Sequence, residues 1–121
     1  CTFIWLTQEP EKLGRAAREV IDDPENELFL SHASIWELYN KALSGKLRLP
    51  EPPRAWVTTQ LAARDVVDWP IDLASLDRMT ELPMHHRDPF DRMIIAQTLV
   101  HGFRLLSPDA CLPPYGVPLI W

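Results

Sequence analysis

Cysteine is almost missing from this 121-residue chain, which carries only Cys1 and Cys111. Two thiols so far apart form no Cys-x-x-Cys pair and no disulfide framework, which points to a reducing, cytoplasmic compartment. Glycine is scarce too, with four residues, and none falls in a GxxxxGK[ST] or GxGxxG loop, so phosphate-cradling nucleotide chemistry drops out. HExxH and GxSxG are absent, which removes zincin and serine-hydrolase readings. No apolar run approaches the ~18 residues of a membrane helix, and CTFIWLTQEP lacks a basic leader, so neither membrane insertion nor secretion is expected. Basic residues are outnumbered 12 to 17, for a net charge of −5. A sequence-independent grip on nucleic acid needs the opposite balance, so any such contact has to come from local basic residues or bound cations.

What is present suffices for one domain. At this length roughly two-thirds of the unfolded surface can be buried, enough for a core without covalent staples. The chain opens on Cys1 rather than Met, inside an apolar stretch, so a preceding element is expected to be missing. TFIWL reads as a short buried segment. EKLGRAAREVIDD reads as a helix with Leu13, Ala16, Ala17 and Val20 inward, stopped by Pro24. Residues 27 to 31, ELFLS, form a strand after a turn-rich stretch and lead into the helix ASIWELYNKALSGKL, with Ile35, Leu38, Tyr39 and Ala42 on one face and Gly45 as its stop.

PRAWVTTQLAARD is the next helix, followed by the strand VVDWPI and the helix DLASLDRMTELP, with Leu73, Leu76 and Met79 inward. DPFDRMIIAQTLVHG has the clearest bounds: Asp88 at the N-cap, Pro89 at N1 and Gly102 just past the end. FRLLS and VPLIW are strands on either side of the turn-rich PDACLPPYG. Short strands, apolar on both faces and alternating with helices, predict an α/β fold with a covered parallel sheet, whose ligands gather at the carboxyl ends of the strands.

The acids carry the chemistry. Glu37 fits a capping box with Ser34 and an ion pair with Lys41, Asp88 fits a helix cap, and Asp109 fits a turn. Asp91 is different, because Ile94, Ile95 and Thr98 share its helix face and aim the carboxylate inward. An inward acid needs a partner. Asp109 and Glu37 both follow strands closely enough to lie on the carboxyl edge, and three acids converging there would repel one another unless a hard cation, Mg²⁺ or Mn²⁺, neutralised them. His85 and His86 are adjacent rather than four apart, so they are read as a polar loop and not as a zinc site.

SHASIWELYNKALSGKLRLP, HHRDPFDRMIIAQTLVHG and LLSPDACLPPYGVPLIW, in this order and spacing, resemble the VapC-type toxins of the PIN-domain ribonucleases. The resemblance covers essentially the whole chain. It implies a single PIN-like domain over residues 1–121, a three-layer α/β sandwich around a short parallel sheet, and acids that hold Mg²⁺ or Mn²⁺ to hydrolyse RNA. It places the second, third and fourth acids of the family on Glu37, Asp91 and Asp109 as metal-binding catalytic residues. The first acid ends a central strand that would precede Cys1; without it the chain is expected to be N-terminally incomplete and inactive. Asp88 then serves as cap or outer-shell group, and Ser34 either caps its helix or hydrogen-bonds Glu37.

The resemblance also implies a cognate antitoxin, a homodimer, and a groove that Trp36, Tyr39 and Trp56 either line or support from the core. Lys41, Arg87 and Arg92 are candidates for RNA phosphate contact, against the alternative of ordinary solvated charge. Two other classes fit some of the same features. A non-catalytic PIN-like scaffold would bind only a protein partner, and a metal phosphatase would act on small phosphoesters.

Overall fold

The computed structural model describes residues 2–109 and 111–121; expectations that fall on Cys1 and Ala110 lie outside the described residues. In chain order these residues form α1 (Thr2–Gln8), α2 (Arg15–Asp22), β1 (Leu28–Ser31), α3 (His32–Leu43), α4 (Pro53–Arg64), β2 (Val66–Trp69), α5 (Leu73–Glu81), α6 (Pro89–His101), β3 (Leu105–Leu106) and β4 (Leu119–Ile120). The alternation is that of an α/β fold, as expected. The strands do not merge into one sheet: β1 pairs in parallel with β2, and β3 in parallel with β4.

Each pair has its own apolar core. Leu30 of β1 packs with Phe3, Leu38, Trp56 and Val57, while Leu105 and Leu119 pack on Ile95, Ala96, Leu112, Tyr115 and Val117. α6 serves both halves. Its Ile95 and Ala96 enter the second core, whereas the fully buried Gln97 faces the first. Ser31 Oγ donates to Gln97 Oε1, and Gln97 Nε2 donates to the Pro70 carbonyl at 3.1 Å, so one side chain satisfies the ends of both β1 and β2. α1 also reaches across: Phe3 sits in the first core, and Thr2 Oγ1 donates to the Leu106 carbonyl of β3.

Several local expectations change. TFIWL is helical, with Phe3 buried and its neighbours only half-covered. The expected helix from Glu11 is broken at Gly14: a 3₁₀ turn covers Pro10–Lys12, and α2 starts after Gly14, leaving Ala16 exposed. That glycine is needed, because a Cβ there would overlap the Trp121 carbonyl. Of the expected inward face of α5 only Met79 packs on a core; Leu73 is 71% exposed, Leu76 is exposed, and Ser75 is buried instead. A small side chain at that point suits the close packing of α5 on α6. α6 keeps its expected bounds, with the Asp88 carboxylate accepting from the Phe90 and Asp91 amides and Gly102 left-handed at φ 69°.

Candidate metal centre

β1 runs into α3 without a loop, so the helix is capped by Ser31, whose Oγ accepts the Ala33 amide at 3.0 Å. This corrects the capping role considered for Ser34, which lies inside the helix and lines a cleft. Two turns on, Glu37 is carried to the carboxyl edge of the first pair, 3.8 Å from Lys41 Nζ. Asp109 follows β3 and is held by an Asx turn in which Oδ1 accepts the Cys111 amide at 2.8 Å. Asp91 sits in the first turn of α6, between them.

The structure brings these acids together around Asp91. Ligand-type oxygens of Glu37, Asp88 and Asp91 lie within 4.8 Å of one another, as do those of Asp91 and Asp109 together with a ring nitrogen of His86. The cleft between the two strand pairs, about 730 Å³ in volume, opens on Glu37, Asp88, Asp91 and Asp109. Its walls are mixed, with Phe29, Leu105 and Ile120 among the apolar side chains and Ser31, Thr98 and Ser107 among the polar ones.

Charge responds to this crowding. Burial, then the neighbouring Asp88 and Glu37 carboxylates, push the Asp91 carboxyl up from 3.8 to about 6, against the pull of His86. Asp109 moves the other way, because the Cys111 amide, and after it His86, stabilises its anion. The donor set is all oxygen apart from that imidazole, partly desolvated and mutually repulsive, so it fits a hard divalent cation.

His86 is the residue that the sequence reading missed. Its Nε2 lies 3.1 Å from Asp91 Oδ2 and 3.0 Å from Asp109 Oδ2, and its Nδ1 accepts the Asp88 amide at 3.1 Å. The polar-loop reading fails because spacing along a helix is irrelevant to a ring reaching in from a loop. His85 points elsewhere, edge-on to Tyr115.

A family model described as PIN domain matches residues 1–113. Ribonuclease VapC22 of Mycobacterium tuberculosis is 30% identical over 115 residues, spanning 94% of this chain and 86% of the relative. The chain is a VapC-type member of the PIN-domain family. The remaining candidate residues in this PIN domain divide clearly. Lys41 and Arg87 are exposed, and Lys41 is among the residues lining the cleft.

Arg92 is a correction: its guanidinium donates to the carbonyls of Pro83, Met79 and Leu82, so it closes the carboxyl end of α5 instead of waiting for phosphate. Trp56 follows the core alternative, 2% exposed inside the first core, with Tyr39 packed against that core. Trp36 is 59% exposed and meets Phe90 edge-on, with ring centres 5.0 Å apart, away from the cleft lining. Among the described residues, no helix is long and apolar enough to cross a membrane.

Proposed function

We propose that this PIN-domain protein is a divalent-metal-dependent endoribonuclease, the toxin of a type II toxin–antitoxin pair, acting in the cytoplasm on RNA phosphodiesters. The observation that carries the reading is Asp91, a carboxyl group that burial, and then the acids crowded around it from three separate segments, push up to about 6. Such crowding is unfavourable by itself and becomes favourable when a cation binds. Glu37, Asp91 and Asp109 would hold Mg²⁺ or Mn²⁺, which when bound supplies charge to polarise the scissile phosphate and to activate water for attack.

The protein's own groups do the positioning. Asp88 caps α6 and so fixes the Asp91 backbone, and Ser31 with Gln97 fixes the start of α3 and thereby Glu37. Ser34, on the cleft wall one turn before Glu37, would serve as its outer-shell partner. Lys41 and Arg87 offset the acidic charge where an RNA backbone would approach. The VapC-type likeness supports an antitoxin as protein partner and a homodimer as the assembly.

The test is cleavage of a structured RNA by the purified full-length protein, complete in its first strand, with Mn²⁺, with excess EDTA, and as Asp91→Asn. The expected result is cleavage only in the first case. Cleavage that survives EDTA or Asp91→Asn overturns the mechanism.

A further inference from the structure

The geometry points to His86 as the occupant of the cation position in the metal-free protein: we propose that its Nε2–H bridges Asp91 and Asp109 in place of an ion and is displaced when a divalent cation binds. This rests on reading the acids as a cation site. The Asp88 N–H can only donate, and it lies 3.1 Å from His86 Nδ1, so Nδ1 carries a lone pair. In the neutral ring the hydrogen therefore sits on Nε2, which faces Asp91 Oδ2 at 3.1 Å and Asp109 Oδ2 at 3.0 Å. That N–H hydrogen-bonds Asp109 Oδ2 and stands within ion-pair distance of Asp91 Oδ2, between two carboxylates that would otherwise face each other directly.

Separations near 3.0 Å would also suit neighbouring ligands on an octahedral ion with bonds of about 2.1 Å, so distance alone does not decide between ligand and placeholder. The tautomer does. To coordinate a metal, Nε2 must offer a lone pair, which moves the hydrogen to Nδ1 and sets it against the Asp88 amide. That amide is not free to turn away, because the Asp88 side chain caps α6 and fixes its backbone. The loop is anchored on its other side as well, where the His86 amide donates to the Tyr115 hydroxyl at 2.6 Å, and Tyr115 is a core residue. His86 is thus a positioning residue. It holds the two aspartates close to each other until the ion arrives, and it competes with the ion for them.

Calorimetric titration with Mg²⁺ and with Mn²⁺ tests this on the wild type, His86→Ala and His86→Gln, alongside ¹⁵N spectra of the histidine rings with and without Mg²⁺. Removing the competitor is expected to tighten cation binding about tenfold in His86→Ala, as for loss of a hydrogen bond to a charged group. His86→Gln keeps a donor and stays near the wild type. The wild-type ring is expected to show hydrogen on Nε2, with that resonance moving on Mg²⁺ addition while Nδ1 stays an acceptor. Weaker or unchanged binding in His86→Ala, or hydrogen on Nδ1, overturns the proposal. If cations bind without the tightening, the role of His86 alone is lost; if neither wild type nor His86→Ala takes up a cation, the metal-centre reading falls with it.

Discussion

Ser31 and Gln97, 66 residues apart, share a buried hydrogen bond that joins the end of β1 to the middle of α6. The same serine caps α3, and the same glutamine satisfies the Pro70 carbonyl after β2, so the pair fixes the platform from which Glu37 and Asp91 face each other. Gln97→Leu keeps the bulk and removes both bonds. It is expected to lower stability by about 1–3 kcal/mol, the cost of stranding buried polar partners, and to weaken cation binding in parallel. Urea unfolding and calorimetry would measure the two effects.

Asp91→Asn is expected to destroy activity and to stabilise the metal-free fold. The Asp91 carboxyl is raised from 3.8 to about 6, so between those values the folded protein holds more protons than the unfolded chain, and stability falls as pH rises through the window. The full shift would be worth ~3 kcal/mol, but the side chain is 35% exposed, and solvent screening reduces this to about 1 kcal/mol. Unfolding curves from pH 4 to pH 8 should therefore slope downward for the wild type, and this component of the slope should vanish in the variant.

Arginine positions separate by role. Arg92→Lys loses the planar fork that reaches three carbonyls and should cost about 1–2 kcal/mol of stability without altering the salt dependence of RNA binding. Arg87→Ala should leave stability within about 0.5 kcal/mol and lower the slope of log affinity against log salt by about 1. Fluorescence anisotropy with a short RNA, read at several salt concentrations, tells them apart.

Gly14→Ala is expected to destabilise by about 1–3 kcal/mol, because the new Cβ would overlap the Trp121 carbonyl that accepts the Ala17 amide at 3.2 Å. Gly45→Ala carries a backbone cost instead, with φ 78° and open space around the Cβ position. Thermal melts of the two variants would separate the steric penalty from the conformational one.

Features with local causes were legible in the sequence. Asp88, Pro89 and Gly102 mark both ends of α6 because caps act within a few residues. Asp91 was legible because its helix neighbours Ile95 and Thr98 are buried on the same side. Contacts that depend on tertiary neighbours were not. Gln97 acquires a role only when β1 and the Pro70 carbonyl are placed beside it, and Leu73 and Leu76 read as core until Ser75 meets α6. His86 was missed for the same reason, since one of its two carboxylate partners lies 23 residues further on, past a helix and a strand. The division into two strand pairs could not be read at all, because strand pairing follows from packing and not from the apolar pattern of each strand.

That division has a mechanical consequence. Glu37 belongs to one jaw and Asp109 to the other, and among the described residues no backbone ladder ties the jaws together. Their gape is governed by α6, by the Thr2 tether and by the Phe29–Phe103 stack, so whatever is wedged into the throat between them acts as a caliper on the acidic grip at its rim.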